Sequence, residues 1–345
     1  MSFPSAPEQL TSAWLSDQLG YVVNNFRVEQ FGAGAGIIGM VTRLHLECSD
    51  GPRTVIAKFP SPAEENRAVA ATYDMYGREI FFYQQIAPTI NLRVPECYHA
   101  DYNAADQAFV ILMEDLQGWR IGDQVAGCTT EEAAAVISAI ARLHAAGWQS
   151  PMDIVSHNNP AQVQGMQGGF AVGWPVVQAQ FADLIPPGAA ELGDKVPAKV
   201  PALLAQMCAE PVCISHADVR LDNIFFADDD IALVDWQSLC LSAPEHDLAY
   251  FVTQSLATEV RQSRDWVAQY HNALSEELQR LGVPPYPLAK CRERFRICAA
   301  YLVCYAVIIS GTLDLGNERG MALGRTLFGN AMQSLDEMDA FSLFD

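Results

Sequence analysis

The chain has 345 residues, half of them hydrophobic, with 41 acidic against 21 basic side chains and a formal net charge of −20. That length exceeds one modest core, so one large or two smaller domains are expected, and two lobes are the simpler arrangement. The acid excess argues against a nucleic-acid or anionic-membrane surface, either of which needs clustered Lys and Arg; it suits a cationic substrate without requiring one.

The opening MSFPSAPEQL has no basic flank and no apolar run, so no signal peptide is expected. Residues 8–19 place Leu10, Trp14 and Leu15 or Leu19 at helical spacing, and NFRVEQF then alternates as a strand does. FGAGAGIIGM follows, with Gly32 and then Gly34-x-Gly36-x-x-Gly39, the letters of a dinucleotide fingerprint. A dinucleotide turn must open a helix and carry an acid about 20 residues on. Here MVTRLHLE, with Val41, Leu44 and Leu46, reads as a strand, and Lys58 stands where the acid would be, closing a third strand, TVIAKF. Glycines in such a turn let backbone amides approach phosphate oxygens without side-chain interference.

Residues 63–87 have a helical pattern broken at Gly77, and Glu79 lies beside its apolar face. LRVPECYHADY and QAFVILMEDL add two strands, for a sheet of five. Thr129-x-x-Glu132 is a capping box opening a helix with Val136, Ile140 and Leu143 as its core stripe; His144 on that helix reads as a packed or capping residue. Residues 148–200 lose periodicity and gather Gly, Pro, Gln and the aromatics Trp148, Phe170, Trp174 and Phe181, the pattern of a long irregular insertion. Toward the end come DLAYFVTQSLA, an amphipathic helix around Trp266, Tyr270 and Leu274, an apolar run over 297–311 and a terminal helix. The apolar run is too short for a membrane span and reads as a buried helix.

The stretch Ile214–Asp235, ISHADVRLDNIFFADDDIALVD, carries the densest chemistry. Asp218 and Asn223 share a short polar loop, and IFFADDDIALVD reads as two strands joined by an acidic turn, a hairpin that returns Asp235 beside Asn223. Phosphoryl transfer needs one carboxylate to accept the proton of the attacking hydroxyl, and oxygen ligands to hold Mg²⁺ against nucleotide phosphates. Asp218 fits the first role, Asn223 and Asp235 the second.

The pattern His216-x-Asp218-x-x-x-x-Asn223, with its apolar strand ending in Asp235, resembles the catalytic and metal-binding loops of the aminoglycoside phosphotransferase and choline kinase superfamily, small-molecule relatives of the protein kinases. HADVRLDNIFF, VDWQ and PEHDLAYFV are most similar to its ecdysteroid-kinase-like branch and that branch's bacterial relatives, and the motifs keep the family's order from about Phe26 to Phe251. The resemblance implies a two-lobed, protein-kinase-like α+β fold. A small N-terminal nucleotide lobe (1–113) would hold the five-stranded antiparallel sheet, a hinge would lie at about 113–117, and a larger, mainly helical lobe (114–345) would hold the catalytic and acceptor sites. It also implies ATP and Mg²⁺ as cofactors. Lys58 would meet the α- and β-phosphates, Glu79 would pair with it, and the glycine turn would cover the phosphates. Backbone groups at Met113, Glu114 and Leu116 would take the adenine.

His216 is then an orienting residue, Arg220 a candidate to neutralise the transferring phosphoryl group or simply a structural arginine, and Asp247 a support for the catalytic-loop backbone. One departure from the family pattern is Ala217, where glycine is usual; alanine reaches positive φ less cheaply, so the loop is either ordinary there or slightly altered. A small-molecule hydroxyl is the expected acceptor, since no activation segment for a protein substrate follows Asp235. An apolar or amphipathic alcohol is favoured because no acid lies between Ser156 and Gln180; an amino alcohol or an aminoglycoside stays open. Two rivals remain, a nucleotide-binding protein without turnover and an NAD-dependent oxidoreductase built on the glycine turn. Nine cysteines without a Cys-x-x-Cys pair, the tightest spacing being Cys208 with Cys213, point to reduced thiols in a cytoplasm, with neither a disulfide nor a zinc framework.

Overall fold

The structure is a computed structural model that describes residues 3–31, 38–189, 191–228, 230–284, 286–312 and 317–345. The chain divides into two compact units, the first formed by residues up to Trp119 with the later segment Val234–Ser238, the second by Arg120–Leu233 with Leu239–Asp345.

The first unit opens with helix α1 (Ser12–Leu19), started by the Thr11 side chain accepting the Trp14 N–H and ended by Gly20 at φ 72°. Strands β1 (Val23–Gln30), β2 (Gly39–Cys48), β3 (Thr54–Pro60), β4 (Cys97–Asn103) and β5 (Ala108–Glu114) form one sheet in the order β1-β2-β3-β5-β4. Every neighbouring pair is antiparallel. Alternation along β3 sends Val55, Ala57 and Phe59 into a core with Leu15, Leu19, Leu44, Leu46, Val110 and Leu112. Lys58, one step out of phase, therefore points from the opposite face.

Between β3 and β4 lie α2 (Glu64–Thr72) and α3 (Met75–Phe81), which continues as a π-helical turn over Phe82–Ile86. The helical stretch breaks at Asp74, which takes φ 50°, and not at Gly77. Gly77 instead makes room: a Cβ there would stand 2.5 Å from Asp74 Oδ1, so a larger residue would displace the carboxylate that turns back over α3.

The second unit is mainly helical. After the short β6 (Arg120–Ile121) comes α4 (Thr130–Ala146), opened by the expected reciprocal box of Thr129 and Glu132. Residues 148–200, read from sequence as an irregular insertion, instead form α5 (Pro160–Gln180) and most of α6 (Leu192–Met207). Strands β7 (Cys213–Ser215), β8 (Ile224–Phe226), β9 (Ile231–Leu233) and β10 (Cys240–Ser242) follow; β8 pairs with β9 and β6, and β7 with β10. Helices α7 (Glu245–Tyr250), α8 (Thr258–Gln262), α9 (Trp266–Arg280), α10 (Leu288–Thr312) and α11 (Glu318–Glu337) complete the unit.

α10 is the unit's central helix and packs on α5, α6, α7, α9 and α11. By length and composition alone it could cross a membrane, but 67% of its most apolar window is buried inside the unit. Its contact with α5 explains why that helix lacks an apolar stripe. A Cβ at Gly173 would lie 2.7 Å from the Val307 carbonyl oxygen, one at Gly311 2.5 Å from the Gly173 carbonyl oxygen, and one at Gly169 2.7 Å from Ile308. Backbone meets backbone at Gly173 and Gly311, and Gly169 seats the Ile308 side chain, so the packing signal is glycine and not leucine.

Candidate active site

In the first unit Lys58 Nζ lies 2.7 Å and 2.8 Å from the two Glu79 carboxylate oxygens and 2.9 Å from Asp235 Oδ1. Lys58 and Glu79 are buried, and α3 brings Glu79 to the face of β3 from which Lys58 projects. Burial opposes the lysine's charge, but the Asp235 and Glu79 carboxylates outweigh it and hold the ammonium above the ordinary lysine range. Asp235 takes φ 69°, and its Oδ2 accepts from the Gln237 amide at 3.2 Å. The next residue, Trp236, is fully buried and stacks on Phe82 with ring centroids 3.6 Å apart and planes 6° from parallel. That stack fixes where the segment carrying Asp235 crosses α3.

In the second unit the loop between β7 and β8 gathers the other acids and amides. The Asn223 side-chain nitrogen donates to both the carbonyl oxygen and Oδ2 of Asp218, each at 3.0 Å. With its nitrogen so committed, the Asn223 amide oxygen is the atom left for a cation. Arg220 Nε stands 3.6 Å from Asp218 Oδ1. The buried His216 ring accepts the Asp218 N–H at Nδ1, 3.3 Å away.

Beneath the loop lies Asp247, wholly buried near the start of α7. It accepts the His216 N–H at 2.8 Å and the Ala217 N–H at 2.7 Å, and meets His144 Nε2 at 3.0 Å. Burial alone would raise its pKa; the His144 hydrogen bond and charge, with His246 and His216 beyond, hold it well below the usual carboxylate range. Ala217 takes φ 63°, so the backbone there has the left-handed turn that glycine would adopt more cheaply.

The remaining expected residues are more scattered. Gly32, Gly34 and Gly36 lie outside the described residues. Gly39 begins β2, where a Cβ would stand 3.2 Å from the Phe59 carbonyl oxygen. At the end of β5, Met113 is buried with Tyr83 Oη 3.8 Å from its sulfur, and Leu116 is buried with its carbonyl accepting the Trp119 N–H. The Glu114 carboxylate pairs with Arg93 at 2.6 Å, so its side chain is structural.

Several residues that hold this geometry went unread in the sequence. Gln124 is fully buried; its amide oxygen accepts the Leu221 N–H at 2.9 Å and the Ser255 hydroxyl at 3.0 Å, and its nitrogen donates to the Gln254 carbonyl. Gly122 passes so close to the loop that a Cβ would lie 2.3 Å from the Leu221 carbonyl oxygen. A lone Gln and a lone Gly carry no local pattern. Tyr250 ends α7 fully buried, where burial and then the Asp218 carboxylate push its hydroxyl pKa well up. Tyr305 on α10 is shifted the same way, by burial first and by Cys240 and Asp218.

The sequence matches the phosphotransferase enzyme family over residues 44–283, well over half of the chain. None of the curated proteins matches it. Among solved structures, a Ralstonia eutropha protein with an inferred aminoglycoside phosphotransferase assignment aligns at 16% identity over 96% of each chain, with a TM-score of 0.57. The choline kinase of Cryptosporidium parvum aligns at 9% identity over 98% of this chain and 94% of its own, with a TM-score of 0.58. The gentamicin complex of APH(2")-IIa aligns at 13% identity over 96% of this chain and 99% of its own, with a TM-score of 0.52. At such identities the likeness establishes the fold, a two-part α+β architecture of the kinase type.

Proposed function

This chain belongs to the phosphotransferase enzyme family and is a small-molecule phosphotransferase; we propose that it transfers the γ-phosphoryl group of ATP, with Mg²⁺, to a hydroxyl of an apolar or amphipathic alcohol. Asp218 accepts the proton of the attacking hydroxyl, His216 and Asp247 position its backbone, and Arg220 offsets charge on the transferring group. Lys58, oriented by Glu79, meets the α- and β-phosphates. The backbone at Met113, Glu114 and Leu116 takes the adenine, and Gly32, Gly34, Gly36 and Gly39 cover the phosphates.

The Asn223 amide oxygen and the Asp235 carboxylate are hard oxygen donors of the kind Mg²⁺ takes, and would hold the ion. Bound there, it would neutralise charge on the phosphate oxygens. The observation carrying this reading is the Asn223 amide locked onto Asp218, which keeps one carboxylate and one amide oxygen in the fixed pairing that such chemistry uses.

Tyr250 and Tyr305 stand near Asp218, and α5 has no charged residue along its length, so a polycation finds few partners there. A bulky alcohol also agrees with the resemblance of the motifs to the ecdysteroid-kinase-like branch. All nine cysteines are thiols, in keeping with a cytoplasmic setting where ATP is abundant. The test is ADP release with ATP and Mg²⁺ over a panel of steroids, amino alcohols, sugars and aminoglycosides. Turnover of a hydrophobic alcohol supports the reading, and turnover of aminoglycosides alone reverses the acceptor assignment.

A further inference from the structure

The phosphoryl-transfer reading leaves unused a buried cluster of three metal-ligating side chains in the second unit, His157, Cys240 and His246. They come from separate segments, 83 and 6 residues apart, which is why no spacing motif announces them. All three are buried, and one ligand atom from each lies within 4.8 Å of the others. Cys240 Sγ is 3.5 Å from His157 Nδ1. Two ligands at ordinary Zn–S and Zn–N lengths around a tetrahedral ion stand about 3.6 Å apart. The His157 and His246 rings have centroids 4.6 Å apart at 49°.

The scaffold around them is fixed. The His157 N–H donates to the Leu241 carbonyl at 2.9 Å, and the Leu241 N–H returns to the Val155 carbonyl at 2.9 Å, tying this segment to β10. The far side of the His157 ring is held by Tyr301: its Oη lies 3.0 Å from Nε2 and accepts from the Gln162 amide at 2.8 Å. An outer partner of this kind orients a metal-binding imidazole and raises its basicity.

His246 supplies the independent observation. It is completely buried, and neither ring nitrogen has a hydrogen-bond partner among the described residues. Buried polar atoms of native proteins are met by protein, water or metal, and an imidazole with both nitrogens unmet calls for one of these.

We propose that His157, Cys240 and His246 bind a zinc ion. Two imidazoles and a thiol are borderline-to-soft donors, which favour Zn²⁺ over the Mg²⁺ of the phosphate chemistry. On binding, the Cys240 S–H bond breaks, the thiolate sulfur takes the metal and the proton passes to solvent, while both histidines bind neutral. Thiolate plus divalent ion leaves one positive charge, which the buried Asp247 carboxylate, next in sequence to His246, offsets. The site joins the 155–157 segment, β10 and the start of α7, so it staples the platform from which Asp247 holds His216 and Ala217. A fourth position is left for water.

The test is zinc content of the purified full chain by inductively coupled plasma mass spectrometry, followed by replacement with Co²⁺. One zinc per chain is expected, with a thiolate-to-cobalt charge-transfer band and the intense visible bands of a tetrahedral site. Cys240→Ser should lose that band and weaken zinc binding by about tenfold or more, and His246→Gln should weaken it likewise. Zinc should raise the melting temperature of the wild type and not that of Cys240→Ser. Substoichiometric zinc after incubation with equimolar ion, or binding unchanged by Cys240→Ser, would overturn the proposal and leave His246 to a buried water. If Cys240→Ser does not fold, the wild-type cobalt spectrum decides alone, and absence of the charge-transfer band rejects the site.

Discussion

Asp247 Oδ1 accepts the backbone N–H of Ala217 at 2.7 Å, and that alanine sits at φ 63°. The carboxylate thus holds in place a left-handed turn that costs an alanine about 1–2 kcal/mol. Relief of that strain is directly measurable. Ala217→Gly is expected to stabilise the protein by about 0.5–1 kcal/mol, the strain removed being partly returned as unfolded-chain entropy. Ala217→Val, β-branched and buried, should destabilise it by about 2 kcal/mol or more. Urea unfolding of the three proteins checks both signs.

Asp247→Asn tests the other half of that contact. An amide offers one acceptor oxygen where the carboxylate offers two, so a buried N–H of His216 or Ala217, or His144, loses its partner. A loss of about 2–4 kcal/mol is expected. Steady-state kinetics should show kcat falling more than KM for ATP rises, since the residue acts through the Asp218 loop. A variant of wild-type stability would remove Asp247 from its assigned place.

Lys58 has two carboxylate partners, and replacing the lysine or one partner should give unequal results. Lys58→Met is expected to lower kcat/KM for ATP by about 10²–10³, the scale for losing a charged contact to developing negative charge. Glu79→Gln keeps a hydrogen bond and the Asp235 contact, and should cost about tenfold. Equal losses would mean that Glu79 does more than orient the lysine.

Trp236 is expected to anchor Asp235 through its stack on Phe82. Trp236→Ala should cost about 3–5 kcal/mol as a large buried truncation, and activity should fall with it. Trp236→Phe keeps an aromatic face against Phe82 and should retain most of both. Chemical denaturation beside an ADP-release assay separates the two readouts.

Stability should also carry a pH signature remote from the candidate site. Arg261 grips the Glu337 carboxylate through two nitrogens at 3.0 and 3.1 Å, joining α8 to α11. Burial would raise the Glu337 pKa, but Arg261 outweighs it and holds it below its ordinary 4.5. Between that lowered value and 4.5 the unfolded chain binds more protons, so the contribution is fully present above pH 4.5 and is lost as pH falls through the lowered pKa. Glu337→Gln should therefore cost about 1–3 kcal/mol at pH 7, with the gap to wild type closing in acid.

How far the sequence could be read depended on which atoms make the contacts. Apolar patterning marked the five strands, by alternation in NFRVEQF and by a continuous apolar run in QAFVILMEDL, and the order of the motifs put Lys58 at the close of the third. The box Thr129-x-x-Glu132 marked the start of α4, and polar residue types with their order marked the loop carrying Asp218 and Asn223. Helices α5 and α6 were hidden for the opposite reason. Gly173 and Gly311 pack by backbone approach, Gly169 seats the Ile308 side chain, and Pro175, Pro197 and Pro201 sit inside the helices as ordinary breakers would not. The apolar run at 297–311 marked only the inner part of α10, because its first turns, with Lys290, Arg292 and Arg296, are charged. Gln124, Gly122 and the His157, Cys240, His246 cluster depend on long-range proximity, to which no local pattern corresponds.

The central claim is that Asp218 is the proton acceptor in phosphoryl transfer to an alcohol, and the most direct measurement is single-turnover transfer from γ-labelled ATP to the best acceptor by wild type and Asp218→Asn at saturating Mg²⁺. The account predicts labelled phosphorylated alcohol from the wild type, and a rate lowered by about 10²–10⁴ in Asp218→Asn with ATP affinity retained. Transfer at an undiminished rate in Asp218→Asn would contradict it.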